Sequence, residues 1–217
     1  MRINASIFAA DPLNLEHELG RASTADFIHV DVMDNHFVPN MSFGLHTVSR
    51  IADASPVPLD VHLMIEDPEN WIEQLAVPNV AVVTFHAEAT PKPVELSRSI
   101  RALGLKAGLA LRPETSIDAF VNYLCEFDQI LVMTIEPGHG GRSLVPATLE
   151  KVALLRSAID QSGCKVWLQV DGGINRSTIR LASDAGADTF VAGSAIFGRG
   201  GPDARIAELR EAVDRGN

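Results

Sequence analysis

Short runs of Val, Ile, Leu and Phe return along the chain, with helix-patterned or polar stretches between them. Such alternation predicts β-α-β units and a parallel sheet. The predicted strands are Ile3–Ala9, Asp26–Val32, Leu59–Met64, Val80–His86, Lys106–Leu111, Gln129–Thr134, Lys165–Val170 and Thr189–Ala192. Helices are predicted in the gaps. Asp67 is placed to cap one that begins at Pro68, and Asp11-Pro12 repeats the pattern, since an Asp cap before a first-turn Pro satisfies free amides and presets φ. Thr148–Ser162 carries Leu149, Val152, Leu155 and Ile159 on one face, and Asp203–Asp214 carries Ile206, Leu209 and Val213. Ala185-Gly186-Ala187-Asp188 reads as a helix end turning into the last strand.

Eight strands, each with a following helical segment, are the repeat count of a closed barrel. A doubly wound sheet would place Gly-x-Gly-x-x-Gly after its first strand. Here that position holds Ala9-Ala10-Asp11-Pro12. The fold class is therefore read as α/β, a (β/α)8 TIM barrel, with residues 1–217 as a single catalytic domain and no linker.

Composition narrows the function. The formal net charge is −10, with 46% hydrophobic and 21% charged residues. That surface disfavours nucleic acid and anionic membranes, and an anionic substrate must be attracted by local groups. Cys125 and Cys164 are far apart in sequence and form no metal-type spacing, so two reduced thiols are expected. Met1–Ala10 lacks the charged leader and apolar run of a signal peptide, and no membrane-spanning run occurs. A cytoplasmic location is expected.

Polar residues sit where buried strands would otherwise be apolar. Strand one carries Asn4 and Ser6, strand two His29 and Asp31, strand three Asp60 and His62, and strand seven runs into Gln169 and Asp171. A spacing of two puts each pair on one side of its strand. A lone strand His is usually a hydrogen-bonded structural group, but four such groups on three strands are hard to attribute to chance. His29, Asp31, His62 and Asp171 are a donor set for one divalent ion, Zn, Fe, Mn or Co.

Three glycine-bearing loops follow the late strands: Glu136-Pro137-Gly138-His139-Gly140-Gly141-Arg142-Ser143, Asp171-Gly172-Gly173 and Gly193-Ser194. Glycines let backbone N–H groups approach an anion, and the loops after strands seven and eight are the usual barrel phosphate site. Met33, Met64 and Met133, near three strand ends, fit either core packing or a dry cover over the reacting carbons.

The reaction class follows partly by elimination. Lys106 and Lys165 open their strands and so lie away from the catalytic mouth, against a Schiff-base aldolase. There is no Gly-x-Ser-x-Gly elbow. Two carboxylates, a metal and a phosphate grip suit proton abstraction beside a carbonyl, through an enediolate. Two acids on opposite faces would invert the carbon.

The chain resembles the ribulose-phosphate 3-epimerase family. The likeness runs from Ala5-Ser6-Ile7 to Val191-Ala192-Gly193-Ser194-Ala195-Ile196-Phe197. Its specific blocks are His29-Val30-Asp31-Val32-Met33-Asp34, Phe37-Val38-Pro39-Asn40, Asp60-Val61-His62-Leu63-Met64, Val132-Met133-Thr134 and Val170-Asp171-Gly172-Gly173-Ile174-Asn175. The resemblance implies the barrel, one divalent metal on His29, Asp31, His62 and Asp171, and Asp31 with Asp171 as the acid–base pair. It implies interconversion of D-ribulose 5-phosphate and D-xylulose 5-phosphate, and a homo-oligomer. The expected substrate contacts are Ser6, His62, Gly138, Gly140, Gly141, Gly172, Gly173, Gly193 and Ser194. The loop after strand six departs from the family, with Glu136 for Asn or Asp, His139 for Phe and Arg142 for Gln. These changes bear on substrate preference and leave two rivals: epimerisation of a six-carbon ketose phosphate such as allulose 6-phosphate, and a non-catalytic sugar-phosphate-binding barrel. His86, ending strand four, is placed near the mouth and at most behind the ligands.

Overall fold

The computed structural model describes residues 1–198 and 200–214. Eight strands form a closed parallel barrel in sequence order: β1 (Arg2–Ser6), β2 (Phe27–Met33), β3 (Leu59–Met64), β4 (Val80–His86), β5 (Lys106–Leu111), β6 (Gln129–Met133), β7 (Trp167–Asp171) and β8 (Thr189–Ala192). Closure comes from β8 pairing with β1, Arg2 opposite Thr189 through Ala5 opposite Ala192. All eight predicted strands are present; β3, β4, β5 and β8 have the predicted ends, and the other four differ by one to three residues. The first strand ends at Ser6, because Ile7–Ala9 turn into a 3-10 helix.

In β2, Ile28, Val30 and Val32 join the aliphatic layer beneath the helices, while His29 and Asp31 alternate with them. β3 repeats this with Leu59, Val61 and Leu63 against Asp60 and His62. Successive side chains on a strand point to opposite faces, so the polar set faces the lumen. Burying each aliphatic side chain stabilises the shell by about 1.5–3 kcal/mol.

The described helices are α1 (Leu15–Arg21), α2 (Leu45–Ala54), α3 (Pro93–Ala102), α4 (Thr148–Ser162), α5 (Ile179–Asp184), α6 (Ser194–Phe197) and α7 (Pro202–Asp214). α4 buries Val152, Leu155 and Ile159 and stops at Gly163, whose φ of 69° is left-handed, a conformation glycine adopts without steric cost. Asp11 behaves as a cap, its carboxylate accepting from the Leu13 N–H at 3.0 Å.

Two expectations are corrected. Asp67 has a left-handed backbone (φ 46°, ψ 55°) and makes no side-chain cap; only a 3-10 turn, Pro68–Asn70, follows it. In that conformation its carboxylate does not meet the free amides, and the turn is closed by the backbone bond from Asn70 N–H to Asp67 C=O. Cys125 and Cys164 are not free thiols but a disulfide, with Cα atoms 5.3 Å apart. They lie just upstream of β6 and β7, which are paired neighbours, and pairing brings the two lead-ins together across 39 residues of sequence. No described helix is long and apolar enough to cross a membrane.

Candidate active site

Strand register assembles the site. Asp31 lies opposite His62 and His29 opposite Asp60 across β2 and β3, and Asp171 lies opposite Met133 across β6 and β7. His29, Asp31, His62 and Asp171 each offer one ligand atom, all within 4.8 Å of one another. The two histidines are wholly buried and Asp31 is 5% exposed. His29 Nε2 is 3.3 Å from Asp31 Oδ1 and 3.9 Å from Asp171 Oδ2. His62 Nδ1 is 3.2 Å and 3.8 Å from the same two carboxylates.

These residues fit a divalent cation. His29 Nε2 is buried and makes no hydrogen bond, which is costly unless its lone pair is used. It shares a point with two carboxylates whose charge also needs a positive partner. Imidazole nitrogen with carboxylate oxygen is a donor set for zinc and the neighbouring transition metals.

Asp60 supports His29 from beneath. Its carboxylate accepts from Asn4 Nδ2 at 2.8 Å and Gln169 Nε2 at 2.6 Å, and lies 2.9 Å from His29 Nδ1. With Nδ1–H donated to Asp60, His29 presents Nε2 as the free lone pair, the usual support of a ligating histidine. Gln129 bonds Gln169 and Thr84 in the same layer. Asn4, Asp60, Thr84, Gln129 and Gln169 thus form a polar floor below the cluster.

The environment separates the two acids. Burial raises Asp31, but the His29 and His62 imidazoles beside it outweigh that effect and hold the carboxyl well below its ordinary range. Burial and the adjacent Asp31 charge push Asp171 up to about 6. Burial alone would lower His29, yet Asp31 and Asp60 raise it well above an ordinary imidazole. Burial lowers His86 to about 4, leaving it neutral. Paired carboxyls with separated proton affinities are a usual basis for acid–base work.

A cavity of about 840 Å³ opens over the cluster and is lined by Asp31, Asp171 and Ser6. Ser6 Oγ donates to Asp31 Oδ2 at 2.8 Å, so it orients that acid. Met33, Met64 and Met133 contribute to the apolar part of the wall, and Gly138, Gly140, Gly141, Gly172, Gly173, Gly193 and Ser194 all line it. At Gly173, φ is +64° and an added Cβ would fall 2.2 Å from the Leu144 nitrogen. Thr134 Oγ1 donates to the carbonyls of Asp171 and Gly172 at 2.8 and 2.6 Å, tying β6 to the β7 loop. Glu136, His139 and Arg142 line the same cavity, and Glu136 Oε2 lies 4.0 Å from Arg112 Nη1.

Of the candidates named from the sequence, Ser6, Asp31, Asp171, the loop glycines and Ser194 line the cavity, whereas His29 and His62 join Asp31 and Asp171 in the cluster and do not line the cavity wall. Asp60 was visible by its two-residue offset from His62, but its partners on β1 and β7 were not. His86 is in direct contact with His62, at 2.9 Å between the Nε2 atoms. Its partner Glu88 carried no signal, because it lies in the short 3-10 turn Ala87–Ala89 after β4 and reaches His62 only through His86.

Fold and site together define a parallel α/β barrel with a two-His, two-Asp cluster at its carboxyl mouth that could hold a metal ion. The model of the ribulose-phosphate 3 epimerase family matches residues 2–197, and the chain belongs to that family. It is 45% identical over 208 residues to the ribulose-phosphate 3-epimerase of Mycobacterium tuberculosis, covering 96% of this chain and 91% of the relative. To that of Bacillus subtilis it is 37% identical over 213 residues, covering 97% and 98%. Among solved structures, 3-keto-L-gulonate-6-phosphate decarboxylase from Vibrio cholerae superposes with a TM-score of 0.72 at 16% identity, covering 99% of this chain and 97% of that one. At that identity the likeness speaks for the barrel alone.

Proposed function

We propose that this protein interconverts D-ribulose 5-phosphate and D-xylulose 5-phosphate by moving the proton on carbon 3. The observation that carries this reading is the pair Asp31 and Asp171, opening on one cavity with their proton affinities driven apart. They stand on β2 and β7, separated by β1 and β8 in the barrel order. A substrate carbon held between them meets one carboxyl on each face. One Asp removes the proton while the other, protonated, returns one to the opposite face. The roles exchange when the reaction runs backwards. Ser6 holds Asp31 in orientation, and the three methionines keep water from the reacting carbons.

His29, Asp31, His62 and Asp171 would hold one divalent ion. When bound, it supplies Lewis-acid stabilisation of negative charge on the substrate's carbonyl oxygen. The phosphate is read onto the loops carrying Gly138, Gly140, Gly141, Gly172, Gly173, Gly193 and Ser194, where backbone N–H groups approach an anion closely. Arg142, on the same wall, adds a charge-assisted contact. One barrel domain suffices for all of this.

NMR of D-ribulose 5-phosphate in D₂O with zinc-loaded protein tests the reading. Deuterium entering carbon 3 as xylulose 5-phosphate appears is the expected result. If neither happens with metal bound, this substrate is wrong. The same experiment with allulose 6-phosphate then decides whether Glu136, His139 and Arg142 have moved the preference to six carbons.

A further inference from the structure

His86 is a buried titratable group that the acid–base chemistry does not use. His86 ends β4, wholly buried, against His62 on one side and Glu88 on the other. Its Nε2 lies 2.9 Å from His62 Nε2, with the ring planes 26° apart, and its Nδ1 lies 3.2 Å from Glu88 Oε2. Phe37 packs against the His86 ring at 4.9 Å between centroids. Glu88 is itself held: its Oε1 accepts from the Arg112 N–H at 3.0 Å and from the Thr115 hydroxyl.

Each link sets the direction of the next. An ionised carboxylate only accepts, so the His86 proton sits on Nδ1 and is donated to Glu88. A neutral ring then has its lone pair on Nε2. That atom accepts, so His62 must be the donor, from Nε2–H. The remaining lone pair of His62 is on Nδ1, the atom facing Asp31 and Asp171 at 3.2 and 3.8 Å. The opposite polarity would set a bare His86 Nδ1 against the Glu88 carboxylate.

We propose that Glu88 and His86 are positioning residues that fix the tautomer and ring orientation of His62, presenting its Nδ1 lone pair to the cation shared with His29, Asp31 and Asp171. The inference rests on the metal reading above and deepens it. Asp60 does this for His29 in one step; for His62 the support is two residues deep and anchored in the loop after β5.

Zinc affinity, measured at fixed pH by competition with a chromophoric chelator, gives a readout independent of turnover. His86→Met, which keeps bulk and loses the strong acceptor, is expected to weaken zinc by about 10–100-fold, the usual effect of removing such a partner. His86→Gln, whose amide oxygen can accept at the Nε2 position, should recover most of that loss. Glu88→Ala should weaken zinc in the same direction. Affinities within twofold of wild type in both His86→Met and Glu88→Ala overturn the relay. Wild-type protein needs no substitution for the second readout, ¹⁵N-histidine NMR of the zinc-loaded form. A proton on His62 Nε2 bonded to a bare His86 Nε2 supports the relay; a proton on His86 Nε2 overturns it. If wild type binds no zinc at all, the metal reading fails and the relay falls with it, a result distinct from intact binding with unchanged variants.

Discussion

Asp31 and Asp171 are the same side chain in two electrostatic settings. Asp31 has Ser6, His29 and His62 around its oxygens, whereas Asp171 is shifted mainly by burial and by Asp31 itself. Asp171→Asn should lower turnover by about 10²–10⁴-fold, the usual worth of a positioned acid or base; full activity in a steady-state assay would contradict the two-acid mechanism. The variant also has a stability signature. The folded-state value of about 6 lies above the ordinary 3.8, so between these values the metal-free native protein holds more proton than the unfolded chain. Stability is then lost as pH rises. Relative to Asp171→Asn, metal-free wild type should lose up to about 3 kcal/mol between pH 4 and above 6. Urea midpoints of both proteins at pH 4.5 and 7 check this, and a gap that does not change with pH would refute it. Arg142→Gln should raise the Michaelis constant more than it lowers turnover, because a phosphate grip acts on binding; kinetics with an unchanged Michaelis constant would place Arg142 in solvent.

At the scale of elements, strands place the acids and loops shape the anion pocket. β2 and β3 alternate aliphatic and polar residues, and their register sets Asp31 beside His62. The loops depend on backbone shape instead. Gly173 has a positive φ, and a Cβ there would meet the backbone of Ser143 and Leu144. Gly173→Ala should therefore push the β7 loop from the loop after β6. The expected outcome is a loss of about 1–3 kcal/mol from the strained backbone, with a raised Michaelis constant and an unchanged zinc affinity. Denaturation, kinetics and zinc titration on the one variant separate these effects; a weakened zinc affinity would mean the loop and the metal cluster are not independent.

For the whole molecule, the cluster joins strands that are distant in sequence, and a cation held there would tie β2, β3 and β7 together. Chelation should lower the melting temperature and zinc should restore it. At a free zinc concentration about 100 times Kd the linkage amounts to about 2.7 kcal/mol, or roughly 5–10 °C for a chain of this size. Calorimetry with and without chelator measures it, and His29→Ala should abolish the zinc-dependent part while leaving a folded barrel. By itself the sequence determined the barrel, because strand period and strand count depend only on local pattern, and the paired offsets of His29 with Asp31 and Asp60 with His62 point each pair to one side of its strand. Tertiary structure decided what depends on neighbours distant in sequence. Asp67 lost its cap to a left-handed turn, Cys125 met Cys164 because β6 pairs with β7, and Glu88 reached His62 only through His86. Barrel closure sets those contacts, and no local pattern records which side chains it will bring within a hydrogen bond of each other.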